Sequence, residues 1–181
     1  MEDYKKYVFG KKNRVYLYCI DNPIEKGMFG LIKSKIFEKQ VGLYVKTDNN
    51  ENNDLSLAGF YISSINNQPM IEISSELYDR KQNDEFIVTI FHELGHYYND
   101  DYSKIKKNED ELRLLSIEQS TVLKQEKQAD EFAVKYLGKR KVVSGLEEIK
   151  KLLQSIGDLE TYQSQMSIRE IELRINIIKS I

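Results

Sequence analysis

Asp84-Glu85-Phe86-Ile87-Val88-Thr89-Ile90-Phe91-His92-Glu93-Leu94-Gly95-His96-Tyr97-Tyr98-Asn99 is an unbroken apolar-periodic run, and Asn83 or Asp84 stands where a helix needs its first turn capped. The pattern predicts a helix over 84–99. Near its end, His92-Glu93-Leu94-Gly95-His96 places two imidazoles just over one turn apart. Cβ atoms at that spacing lie ~6 Å apart on one face, so both rings can converge on one cation at roughly 2.1 Å. Glu93 projects beside that point, where a carboxylate can take a proton from water activated by a metal. The chain contains 2 histidines and both fall in this string, which argues against two core histidines meeting by accident. Gly95 costs about 1 kcal/mol in a helix relative to alanine, and it is read as room for close packing.

Two imidazoles do not complete a catalytic zinc site, which ordinarily takes three protein ligands and leaves one position open. With no histidine left, the third donor must be a carboxylate or Cys19. Downstream, Glu126-Lys127-Gln128-Ala129-Asp130 sets two acids on one face of another predicted helix, beside a small residue that permits close approach. Glu126 is the expected ligand. Asp130, one turn on, is placed to accept a hydrogen bond from the non-coordinating nitrogen of His92 or His96 and so fix that ring.

Working outward, the first half carries strand signals. Val15 to Ile20 is β-branched and aromatic, and Asp21-Asn22-Pro23 ends it. Met28, Leu31, Ile32, Lys35 and Ile36 have helical spacing, so 24–40 is expected to be a helix weakened by Gly27 and Gly30. Val41 to Thr47 reads as a strand. The polar run 48–54 lacks the glycine and closing glutamate of a calcium loop and reads as a connection. Gly59 to Ser63 and Met70 to Ser74 should form a hairpin around Asn66-Asn67-Gln68-Pro69. In the second half, 100–110 is an exposed loop, and helices are expected over 116–137 ending at Gly138, over 144–156, and from Ser167 onward through Ile168, Ile171, Ile175 and Ile178. Strands first and helices after argue for an α+β fold. The expected organisation is one domain over 1–181, with 1–80 bearing a small antiparallel or mixed sheet and 81–181 helical and carrying the metal site.

Composition narrows the function. The formal charge of -2 arises from 27 basic and 29 acidic residues spread along the chain, which leaves no basic face for nucleic acid. Cys19 is the one cysteine, so no disulfide framework exists and a reducing, cytoplasmic setting is expected. The charged start Met1-Glu2-Asp3-Tyr4-Lys5-Lys6 opens no export signal, and no apolar run is long enough to span a membrane.

The segments 86–96 and Glu126-Lys127-Gln128-Ala129-Asp130-Glu131-Phe132-Ala133 together resemble the ImmA/IrrE family of metallopeptidases, with the likeness covering 59–137 and, more loosely, the rest. The resemblance implies a gluzincin-like, zincin-type helical core in which His92, His96 and Glu126 hold Zn2+ and Glu93 is the catalytic acid. It also implies an endopeptidase whose substrate is a partner repressor, since members of the family, often borne on phages and mobile elements, cut such proteins. Asp130 departs from the pattern, where asparagine is more frequent. An extended peptide is expected to pair with Met70 to Ser74 as an edge strand. Tyr97, Tyr98 and Tyr102 could supply an oxyanion donor, though a tyrosine beside a core helix more often packs. Two further readings compete: a catalytically silent zinc-binding interaction module, against which the retention of Glu93 speaks, and a regulatory protein without metal.

Overall fold

A computed structural model describes residues 4–11, 13–20, 28–46, 57–81, 83–99, 115–156 and 162–180; for Tyr4, Ile20, Met28, 115–123 and 162–164 it describes the backbone alone. The chain is α+β and divides into two compact units, Met1–Asp79 and Arg80–Ile181.

The first unit holds a six-stranded mixed sheet built from β1 (Tyr4–Phe9), β2 (Val15–Ile20), β3 (Met28–Ser34), β4 (Val41–Val45), β5 (Ala58–Ile62) and β6 (Pro69–Ile73), in the order β1-β2-β3-β4-β6-β5. The β4/β6 pair is parallel and the other pairs are antiparallel. In β2, alternation does the sorting: Val15, Leu17 and Cys19 are buried while Tyr16 and Tyr18 are half-buried, as a strand with one covered face requires. The β5/β6 hairpin closes on Asn67, which takes φ 56°, while the Asn66 side chain accepts from Gln68 N at 3.1 Å. After β6, Ser74 Oγ accepts from Leu77 N at 3.2 Å and so starts the short helix α1 (Ser75–Asp79).

Three expectations for this unit change. Residues 28–34 form β3, not part of a helix. The register between β3 and β4 shifts at Met28/Gly30, and such a bulge slips the phase of a strand's alternation so that inward residues fall at spacing three, as Phe29 and Ile32 do. Gly30 belongs there because a Cβ would stand 2.5 Å from the Tyr18 carbonyl of the neighbouring strand. Second, Met70 to Ser74 offers no edge: β6 lies between β4 and β5, with Ile71 and Ile73 fully buried, and the edges belong to β1 and β5. Third, the charged start over 1–6 runs into a strand, since Tyr4-Lys5-Lys6 opens β1. The expectations for 24–27, 48–54 and 100–110 fall outside the described residues.

The second unit is helical: α2 (Asp84–Tyr98), α3 (Leu115–Leu137), α4 (Lys139–Ile156) and α5 (Tyr162–Ser180). Every residue from Glu85 to Gly95 is buried, so α2 is the axis about which the others pack. Its start is held by Asn83 in extended backbone and by the buried Glu85 carboxylate, which accepts from Asn83 Nδ2 at 3.2 Å and Arg80 Nη1 at 3.4 Å. Acids there also suit the helix dipole. The rings of Phe91, Phe132 and Tyr136 pack together between α2 and α3, and Gly138, at φ 87°, separates α3 from α4. α4 starts at Lys139, five residues ahead of the expected Ser144. Among the described residues, no helix is long and apolar enough to cross a membrane.

Candidate metal centre

The site is built where α2 and α3 touch, and Gly95 lets them touch. A Cβ on Gly95 would lie 2.6 Å from Ala129 Cα and 2.8 Å from its carbonyl oxygen, so backbone meets backbone. Ala129 sits between Glu126 and Asp130, and the close approach therefore carries both acids to the histidine face of α2.

His92, His96 and Glu126 form a group that could hold a metal ion, each offering one donor atom, all within 4.8 Å of one another. His92 Nε2 is 3.2 Å from His96 Nε2, 3.0 Å from Glu126 Oε2, and His96 Nε2 is 3.4 Å from Glu126 Oε1. Ligands ~2.0–2.1 Å from a tetrahedral ion stand about 3.3 Å apart. The two imidazole nitrogens stand at that separation, and their contacts to the carboxylate, which run to different oxygens of Glu126, are of similar length, so this donor set fits a cation. Side-chain exposure falls from 19% at Glu126 and 17% at His96 to 7% at His92, so the group opens on the Glu126/His96 side and is anchored at His92. Cys19, the other kind of donor considered, lies buried in β2 and is not part of this group.

The anchor is Asp130. Its Oδ1 lies 2.9 Å from His92 Nδ1, and since a carboxylate can only accept, Nδ1 carries a hydrogen, which leaves Nε2, on the Glu126 and His96 side, as the nitrogen that would serve a metal. Arg174, on α5, closes over the same carboxylate with Nε donating to Oδ2 at 2.9 Å and Nη2 to Oδ1 at 2.7 Å. Nη2 also lies 2.9 Å from His92 Nδ1. With a hydrogen on that nitrogen, this approach follows from the shared acceptor and is not a further bond. Nη1 reaches within 3.6 Å of Glu126 Oε2. Arg174 was not foreseen, nor was Glu170 one turn before it, whose carboxyl is pushed up by desolvation and by the Glu126 charge. One clue to Arg174 was present: it lies between Ile171 and Ile178 at helical spacing, a cation in an apolar stripe.

The electrostatics follow the contacts. Burial and the Arg174 guanidinium both press the His92 imidazole toward neutrality, but its hydrogen bonds with Asp130 and Glu126 outweigh them and raise it to about 9. His96 is lowered by burial and raised by its bond to Glu126, and it ends above its ordinary value. Glu126 ends well below the usual carboxylate range, because the bonds from both histidines overcome the opposing effect of burial. Burial likewise opposes ionisation of Asp130, yet Arg174 and His92 bring it down to about 2.

These shifts set a pH dependence for protein stripped of metal. A histidine raised from 6.5 to about 9 contributes stability that is complete below pH ~6.5 and lost as pH climbs through about 9. Asp130, lowered from 3.8 to about 2, acts in the other direction, so its contribution is present above about 3.8 and lost toward about 2. The His92–Asp130 contact is common to both shifts and is counted once. Chelator-treated protein is therefore expected to be most resistant to urea between pH ~4 and ~6.5 and to lose up to about 3 kcal/mol by pH 9.5. Stability that rises over that interval in urea titrations would contradict the pairing.

Glu93 is the remaining acid. It is 9% exposed, and among the described residues no hydrogen bond or ion pair engages its carboxylate, while its charge is felt at His96. Tyr98 packs its ring 5.1 Å from that of Phe132, in keeping with a packing role, and Tyr102 falls outside the described residues. No protein-family model matches the chain, and no curated protein or solved structure matches it.

Proposed function

We propose that this chain is a zinc-dependent endopeptidase with a zincin-like helical core of the ImmA/IrrE type, acting in the cytoplasm on a partner protein of the transcriptional-repressor class. The observation that carries the reading is the convergence of His92 Nε2 and His96 Nε2, 3.2 Å apart, on the Glu126 carboxylate, whose Oε2 lies 3.0 Å from the first and Oε1 3.4 Å from the second, beside a Glu93 carboxylate that has no other engagement among the described residues. Nitrogen and carboxylate donors in that number suit zinc with one position open. Zinc, when bound, lowers the pKa of water toward about 7 and polarises a carbonyl. Glu93 takes a proton from the attacking water and returns it to the departing amine. Asp130 keeps His92 in the tautomer whose Nε2 can serve as a ligand. The repressor as substrate rests on the resemblance of 86–96 and 126–133 to that family.

Protein purified without added zinc is expected to carry about one equivalent of it by elemental analysis, and His96→Ala next to none. Incubated with a repressor encoded beside it, the protein should yield a shortened product by mass spectrometry that His96→Ala does not. Negligible metal in the unaltered protein, or no product, rejects the proposal.

A further inference from the structure

Arg174 joins a ligand to the group that orients another ligand. Its guanidinium spans both oxygens of Asp130, at 2.9 and 2.7 Å, while Nη1 lies 3.6 Å from Glu126 Oε2. Asp130 Oδ1 in turn holds His92 Nδ1 at 2.9 Å. A carboxylate that accepts one hydrogen bond can still rotate about its own axis, whereas a planar two-point grip fixes its plane. Once that plane is fixed, so is the direction from which His92 is held, and with it the aim of Nε2. We infer that Arg174 is a positioning residue for metal binding, setting the Asp130 carboxylate plane and through it the His92 ligand, with a lesser hold on Glu126. The inference rests on the zinc reading above. It places part of the metal affinity in the last described helix, 44 residues from the carboxylate it grips.

A plain salt bridge tying α5 to the core would use the same atoms, so the test must separate the two. Arg174→Lys keeps the positive charge beside Asp130, which is 3% exposed, but cannot reproduce the planar fork. It should weaken zinc binding, measured by chelator competition, by about 10–100-fold. Arg174→Met should do at least as much. Because Arg174 acts through Asp130, Asp130→Asn combined with Arg174→Lys should bind within about threefold of the weaker single variant, the two losses not multiplying. The cobalt(II)-loaded variant should also show an altered visible band, which a distant structural contact would leave unmoved. Zinc affinity within about threefold of wild type in Arg174→Lys, multiplied losses in the double variant, or an unchanged cobalt band overturns the inference. If the unaltered protein takes up no zinc, the metal reading itself falls and takes this one with it. Uptake by wild type and Arg174→Lys alike removes this inference alone.

Discussion

Glu93→Gln is expected to lose cleavage by about 10²–10⁴-fold while keeping its metal. The substitution preserves shape and helix propensity and removes only the ability to take a proton. Glu93 is not among the three donors that could hold the ion, so zinc content by elemental analysis should stay near that of wild type. Stability adds an independent readout. The Glu93 side chain, 9% exposed, makes no hydrogen bond or ion pair among the described residues that the amide would break. The thermal midpoint of Glu93→Gln should therefore equal or exceed that of wild type, the trade expected where a residue is kept for chemistry. Unchanged processing of a partner by this variant would remove Glu93 from the mechanism. An activity loss accompanied by loss of zinc would instead make Glu93 part of the metal's support.

What could be read in the sequence depended on whether the deciding interaction was local. The spacing of His92 and His96 is a property of one helical turn, and so it was visible. The meeting of Glu126 with both rings needed a second helix at close range, and two small residues, Gly95 and Ala129, pointed to it without fixing the geometry. The strand β3 was misread because Met28, Leu31, Ile32 and Ile36 copy helical spacing once a bulge at Met28/Gly30 has broken the alternation of two. β1 hid for another reason. As an edge strand it leaves Tyr7 and Val8 exposed, at 39% and 49%, so it shows no inward face, and the lysines that made it resemble a solvated terminus are what such edges use against unwanted pairing. Arg174 could not be found from neighbours in sequence, because the carboxylate it grips is 44 residues away.

The second large effect should come from a methyl group. On helix propensity alone, Gly95→Ala would stabilise α2 by about 1 kcal/mol. Sterics oppose this, since the new Cβ would lie 2.6 Å from Ala129 Cα and 2.8 Å from Ala129 O, and backbone cannot turn aside as a side chain can. The helices must part, at a cost of about 1–3 kcal/mol for overpacking, and sterics win. Parting them draws Glu126 and Asp130 away from His92 and His96 together, so zinc affinity should fall by at least about 100-fold, more than one orienting contact is worth. Gly145→Ala supplies the comparison. There the Cβ would meet Val88 Cγ2 at 2.6 Å and the Asp84 carbonyl at 3.1 Å, between α4 and the start of α2, away from the donors. It should lower the urea midpoint by a similar amount yet leave zinc affinity within a few-fold of wild type. Should Gly95→Ala bind zinc as tightly as the unaltered protein and unfold at higher urea, the α2–α3 approach would not be what assembles the metal site.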